Sequence, residues 1–165
     1  MPTKEMAAPL LEALKPGDNE IDKRQKIVDA VHITDSQVSS TELAPVATAY
    51  INHMYYQAYF VSPSAGVASL LPCYWSYAEC FKKMAEAGPH TTSAYQAFID
   101  LYAADDFQTG SANLVKLVDQ LANQGNEETR QQMKHAFDLS SDYELMYWQM
   151  SFDREQWPHQ RFTVL

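Results

Sequence analysis

The chain has 165 residues and a hydrophobic fraction of 46%, which is enough for one compact domain with a core. Its net charge is −9, and its densest basic stretch, residues 23–26, is flanked by acidic residues, which excludes nucleic-acid and anionic-membrane partners. No apolar run approaches the roughly 20 residues of a membrane span. Two cysteines without an export signal predict reduced thiols and a cytoplasmic location.

Apolar residues recur at intervals of three and four along the chain, which is the period of amphipathic helices, and no segment shows strand-like alternation. We predict helices, in chain order, at 4–14, 20–32, 42–60, 65–87, 92–104, 111–124 and 127–150. The five glycines all serve as predicted breaks, at Gly17, Gly66, Gly88, Gly110 and Gly125. Short connections make neighbouring helices antiparallel, so the predicted fold class is an all-α, up-and-down helical bundle formed by a single domain over residues 1–165.

Two helix faces are assigned structural roles. On the third predicted helix, Tyr50 and His53 belong to a polar stripe, where a lone histidine is more often hydrogen-bonded scaffolding than a ligand. On the fifth, Tyr95, Phe98 and Tyr102 share a face, which is core patterning by default.

The fourth predicted helix contains the stretch LLPCYWSYAEC, in which a proline precedes one of the two cysteines. Pro72 should kink the helix by releasing the carbonyl of Ala68, and such a kink opens room for a small planar ligand. Cys73, Tyr77 and Cys80 share one face, whereas Tyr74 and Trp75 point elsewhere. The two thiols are too far apart on a helix for a disulfide. A buried, inert Cys73 competes with a reactive one.

The seventh predicted helix places Glu144 among rings, including Tyr143, Tyr147 and Trp148. Burial would raise the pKa of the carboxyl group and suit it to acid/base chemistry near neutral pH. The alternative is a capping box, in which Ser141 starts a helix and Glu144 bonds back to its amide. On spacing alone, the capping role is favoured.

Other chemistries lack their motifs. Asp29 and His32 have the spacing of one di-iron half-site, but no second copy exists, so no metal site is predicted. Phosphate-binding, dinucleotide, zinc-protease and serine-hydrolase motifs are also absent, and no cofactor is expected.

Taken together, these stretches resemble the TenA family (thiaminase II, aminopyrimidine aminohydrolase). The sharpest match is PCYWSYAE at 72–79, close to that family's PC-x-W-x-YAE signature. Matching segments around Tyr50, around Tyr95 to Phe107, and from Phe137 to Trp148 follow in the family's order, and the resemblance covers about Ile33 to Trp157.

The resemblance implies a haem-oxygenase-like bundle, usually a homotetramer, that hydrolyses 4-amino-2-methylpyrimidines at the C5 methylene and in some members cleaves thiamin. By position, Cys73 looks like the nucleophile and Glu144 like the acid/base that protonates the ring nitrogen. Tyr50, Tyr77, Tyr102 and Tyr147 look like the pocket wall. With the resemblance, acid/base chemistry becomes the favoured role of Glu144.

The chain departs from the family at its N-terminus. It begins well inside the family's bundle, and Asp18, Asp22 and Asp29 do not match the motif of the aspartate that holds the pyrimidine amino group. We therefore expect a domain truncated relative to the family. A non-catalytic aminopyrimidine- or thiamin-binding remnant stays open as an alternative, while the net charge disfavours a transcriptional regulator.

Overall fold

The computed structural model describes residues 8–12, 15 and 20–162, without the side chains of 20–23 and 161–162. Seven α-helices lie in residues 20–153: α1 (Glu20–Ala30), α2 (Asp35–Ser40), α3 (Pro45–Tyr56), α4 (Pro63–Glu86), α5 (Ser93–Tyr102), α6 (Asp105–Gln124) and α7 (Glu127–Asp153). A π-helical turn, Gln57–Val61, joins α3 to α4, and a 3-10 turn, Pro158–Phe162, follows α7. Residues 8–12 are helical, and no strand occurs in the described residues, so the all-α prediction is confirmed.

Helices α4 and α7 form the centre of the bundle, because they contact each other more extensively than any other pair of described elements. Helix α6 and helix α5 pack on α4, helix α3 packs on α7, and helix α1 packs on α5. One apolar cluster surrounds Phe81 and Tyr102, and a second surrounds the fully buried Leu114. The longest helices therefore form a rigid base on which side chains from different elements can be held.

Local chemistry sets the helix ends. The Ser62 hydroxyl accepts a hydrogen bond from the backbone N–H of Ala65, and Pro63 follows in the first turn. Both features favour the start of α4 at this point. The Asn126 side chain accepts the amide of Thr129 and starts α7 in the same way. Gly88 follows α4 with φ of 104°, a left-handed conformation that favours glycine, and its predicted role as a break is confirmed.

Two of the other predicted glycine breaks are wrong. Gly66 lies within α4. Glycine occurs there because the helix passes so close to the π-helical turn that a Cβ would lie 2.7 Å from the Cα of Ala58. Gly110 is buried within α6, which begins at Asp105 rather than at residue 111, because acidic residues in the first turn favour that end of the helix dipole. Gly17 lies outside the described residues.

The predicted core face of the fifth helix is partly wrong. Tyr102 is buried and Phe98 is half-buried, but Tyr95 is 61% exposed and packs edge-on against His90. Its register places it at the first turn, beyond the neighbouring helices. Across the described part of the chain, no helix combines the length and apolar character needed to cross a bilayer.

Candidate active site

A cavity of about 290 Å³, at the small end of the range for ligand sites, is lined by residues of six helices, α1 and α3 to α7. Its lining includes all six residues predicted for the site: Tyr50 of α3, Cys73 and Tyr77 of α4, Tyr102 of α5, and Glu144 and Tyr147 of α7. Helix packing thus gathers side chains that are up to 97 positions apart in the chain. Their catalytic and binding roles stay predictions.

Glu144 is the ionisable centre of the cavity and is only 6% exposed. Burial raises the pKa of its carboxyl group above the ordinary value, and stabilisation of the carboxylate by the nearby side chains of Tyr50, Cys73 and Ser76 partly offsets that shift. A carboxyl group whose pKa is raised holds its proton more readily than an exposed one, which suits it to acid/base chemistry. Ser76 was missed by the sequence analysis, since a serine one turn after a cysteine carries no distinctive signal.

The capping role weighed for Glu144 is wrong. Helix α7 runs without interruption from Glu127 to Asp153, so Glu144 lies deep inside it. The Ser141 hydroxyl donates to the carbonyl of Phe137 at 2.9 Å, as serine does within a helix. A short S-x-x-E pattern does not distinguish a helix start from a helix interior.

Three buried polar atoms at and around Glu144 lack a well-formed hydrogen bond to any described residue. They are the hydroxyls of Tyr50 and Ser76 and one carboxylate oxygen of Glu144. Buried polar atoms are rarely left unsatisfied, because each costs about 1–3 kcal/mol. Their convergence is therefore typical of a site that binds a polar ligand.

The opposite side of the cavity is made of rings, which we call the aromatic wall: Tyr74, Tyr77, Tyr102 and Phe107. The rings of Tyr77 and Tyr102 meet edge-on with centroids 4.7 Å apart, and Tyr102 and Phe107 do so at 4.9 Å. Burial raises the pKa of Tyr77, so its hydroxyl stays protonated and able to donate. Such a wall can hold a flat heteroaromatic ring in one orientation.

The predicted face of α4 is correct for two of its three residues. Cys73 and Tyr77 line the cavity, but Cys80 is exposed and does not. Tyr74, expected to point elsewhere, lines the cavity because it lies three residues before Tyr77 and thus beside it on the helix. The two cysteines are not joined by a disulfide, as expected. Helix α4 continues through Pro72, and the kink expected there stays a prediction.

The sequence predicts that none of the aspartates near the N-terminus takes the place of the family's aspartate that holds the pyrimidine amino group. Asp29 is exposed and does not line the cavity, whereas Asp18 and the side chain of Asp22 lie outside the description. Arg24 of α1 lines the cavity instead, a position that the sequence pattern did not single out. Among the described side chains, no cluster of three or more histidine, cysteine, aspartate or glutamate residues could hold a metal ion.

Known proteins similar to this chain include aminopyrimidine aminohydrolases and a protein of thiamine biosynthesis. An aminopyrimidine aminohydrolase of Bacillus subtilis is 31% identical over 81% of this chain and 56% of its own length. An aminopyrimidine aminohydrolase of Halalkalibacterium halodurans is 26% identical over 84% of this chain and 62% of its own length. The thiamine biosynthesis multifunctional protein ThiED of Corynebacterium glutamicum is 32% identical over half of this chain. The chain thus spans little more than half the length of the two aminohydrolases.

The match to a family as a whole is broader than any of these pairwise matches. The model of the TENA/THI-4/PQQC family matches residues 3–154, which include every helix of the bundle and every residue of the cavity named above. The all-helical, haem-oxygenase-like fold expected from the resemblance is the fold of that family. The chain belongs to the TENA/THI-4/PQQC family.

Proposed function

We propose that this chain is a hydrolase of thiamin salvage that replaces the group on the C5 methylene of a 4-amino-2-methylpyrimidine with a hydroxyl. The observation that carries the proposal is that Cys73 and Glu144 lie in one cavity, with a carboxyl group whose pKa is raised by burial. The names of the two aminohydrolases support the same chemistry. Cleavage of thiamin itself is the same displacement with a thiazole as leaving group.

The first step forms a covalent adduct. The Glu144 carboxylate accepts the thiol proton of Cys73, and the sulfur adds to a carbon of the pyrimidine ring. The same proton passes from Glu144 to the ring nitrogen, which takes up the electron pair of the broken ring double bond. A carboxyl group with a raised pKa suits both halves of this transfer.

The second step exchanges the substituents. The ring electrons expel the protonated amine as neutral amine, or expel the thiazole, and leave an exocyclic methylene. The oxygen of water adds to this carbon, and its released proton is taken up by the departing amine or, when the leaving group is the thiazole, by solvent. Glu144 then removes the proton from the ring nitrogen, the carbon–sulfur bond breaks, and Cys73 regains its proton. The net change is one water consumed and one amine or thiazole released.

The tyrosines hold the ring while this occurs. Tyr77 stays neutral because burial raises its pKa, so it can donate a hydrogen bond to a ring substituent. Tyr50 also stays neutral, because burial and Glu144 raise its pKa, and its ring forms part of the cavity lining. Tyr102 and Tyr147 complete the enclosure. The proposal includes a homotetramer, which the family resemblance implies, and a cytoplasmic location, which the cysteine content favours.

A second candidate is a protein that binds aminopyrimidines or thiamin without turnover. The observation in its favour is that no aspartate lines the cavity among the described side chains, whereas the resemblance implies one that holds the amino group. Calorimetry separates the candidates, because this alternative requires binding without product.

The decisive test is incubation of the purified protein with 4-amino-5-aminomethyl-2-methylpyrimidine. We expect the hydroxymethyl product and one equivalent of ammonia, detected by chromatography and a coupled ammonia assay. Thiamin serves as a second substrate. Well-folded protein that binds the aminopyrimidine but forms no product would contradict hydrolysis and favour the binding protein.

A further inference from the structure

Two polar side chains behind Tyr50, His53 and Ser140, have no part in the proposed chemistry. Together with Tyr50 and Glu144 they form what we call the polar row. His53 follows Tyr50 by three residues on α3, and Ser140 precedes Glu144 by four residues on α7. Residues at these spacings share a helix face, so both pairs point into the seam between the two helices. Ser140 is fully buried there, and Tyr50 is 5% exposed.

The histidine fixes the direction of the row. Its Nε2 atom lies 3.1 Å from the Ser140 hydroxyl and 3.4 Å from the carbonyl oxygen of Ala136. A carbonyl oxygen can only accept, so Nε2 carries the proton and donates. Burial lowers the pKa of His53, which keeps the ring neutral at pH 7. This tautomer makes the Ser140 oxygen an acceptor from His53.

The Ser140 hydroxyl proton is then available to the next group, Tyr50. Burial and Glu144 raise the pKa of Tyr50, and the nearby Ser140 hydroxyl lowers it slightly. Ser140 and Glu144 lie four residues apart on one face of α7 and both act on the Tyr50 hydroxyl, so the serine can donate toward the phenol oxygen while the phenol donates toward the carboxylate. The Tyr50 hydroxyl makes no well-formed hydrogen bond to a described residue, and catalytic hydrogen bonds commonly tighten only when substrate binds.

Tyr143 holds the two rings of the row. Its ring centroid lies 5.3 Å from that of Tyr50, nearly parallel at 10°, and 5.3 Å from that of His53 at 38°. One ring thus packs against both, which restricts how far either can rotate. The same residues take part in the ring packing and in the polar contacts, so the packing also holds the polar groups in place.

We propose that His53 and Ser140 are positioning residues, which direct a row of donors from the imidazole through the Tyr50 phenol to the Glu144 carboxylate. This inference rests on the proposed function for its purpose, since Glu144 is the acid/base there. Neither His53 nor Ser140 touches the substrate. Their effect is to favour the charged form of Glu144 against its burial.

Other groups also face the two ends of the row, and the test must hold them constant. Glu144 faces side chains of α4, α5 and α7, with α1 at the edge of the cavity: Cys73, Ser76, Tyr77, Tyr102, Tyr147 and Arg24. His53 also experiences His135 of α7, which lowers its pKa further. The variants below change none of these groups.

The test is an NMR titration of protein labelled with ¹³C at the glutamate carboxyl carbons, with the Glu144 signal assigned by its loss in Glu144→Gln. We expect Ser140→Ala to move the Glu144 titration to higher pH, because Tyr50 becomes a weaker donor and the carboxylate loses support. His53→Phe keeps a ring beside Tyr143 but removes the N–H, and should shift the titration in the same direction. His53→Gln keeps an N–H donor and should stay closer to the parent protein.

The matched control is Ser69→Ala. Ser69 is equally buried, but its hydroxyl donates to the carbonyl of Gly66 at 2.7 Å inside α4, away from the cavity. If Ser140→Ala fails to fold, the two His53 variants decide the question alone. Unchanged Glu144 titration in the folded Ser140→Ala and His53→Phe proteins, or an equal shift in Ser69→Ala, would overturn the proposal.

The titration needs no substrate, so it separates this inference from the proposed function. A protein inactive on every aminopyrimidine could still show the shifts, and an active one could lack them. In an active protein, the limb of the pH–rate profile that depends on Glu144 is the one that Glu144→Gln abolishes. We expect Ser140→Ala to move this limb to higher pH.

Discussion

The two sides of the cavity differ in how well their groups are satisfied. The polar side, formed by Tyr50, Ser76 and Glu144, holds three buried polar atoms without well-formed hydrogen bonds to the described chain. The aromatic wall consists of rings that contact one another and the core cluster around Phe81. Unsatisfied polar atoms destabilise a fold, whereas packed rings stabilise it. The polar side therefore keeps hydrogen-bonding capacity that a ligand could use, while the aromatic wall is part of the packed core.

The largest expected effect is loss of chemistry on the polar side. We expect Cys73→Ser or Glu144→Gln to reduce kcat by about 10²–10⁴-fold, because each removes a group that changes covalent or protonation state. The measurement is product formation from the aminomethylpyrimidine. Cys80→Ser is the matched control, since that exposed thiol lies on the same helix and outside the cavity. Equal turnover in Cys73→Ser and the parent protein would refute the nucleophile.

A smaller effect is expected on the aromatic wall, where the comparison predicts losses in binding rather than in chemistry. Tyr102→Leu should raise KM by about 10-fold with little change in kcat, because one ring contact is worth about 0.5–1.5 kcal/mol. Tyr102→Phe should have less effect, since it keeps the ring. Tyr95→Leu, an exposed tyrosine on the same helix, is the control. A fall in kcat as large as that of Glu144→Gln would break the distinction between the two sides.

The smallest effect concerns the pH dependence of stability. The pKa of Glu144 is raised in the folded protein, so the folded state binds its proton more tightly than the unfolded state does. Stability from this group is therefore fully present below its ordinary value of 4.5 and decreases as pH rises through the folded pKa. We expect Glu144→Gln to be more stable than the parent at pH 8 and nearly equal at pH 4, by urea unfolding. A stability gap independent of pH would argue against a carboxyl group destabilised by burial.

The sequence predicted the helices better than the contacts between them. Apolar periodicity located every long helix because burial against a core imposes that period. Missed features depend on tertiary neighbours. Ser76 and Arg24 show no local pattern, and Gly66 was taken for a break because its neighbour Ala58 belongs to a different element. The motif resemblance, rather than periodicity, singled out Cys73 and Glu144 together, since proximity across 71 positions is not encoded in local spacing.

The near-contact of Gly66 with Ala58 has a consequence for the whole of α4. Because no side-chain atom fits between them, the start of this 24-residue helix is fixed to the turn that ends α3. Any outward displacement of α4 at this junction would also move Cys73, which lies seven residues, or about two turns, farther along the helix. A larger side chain at residue 66 would therefore displace the start of α4 from this turn, and Cys73 with it.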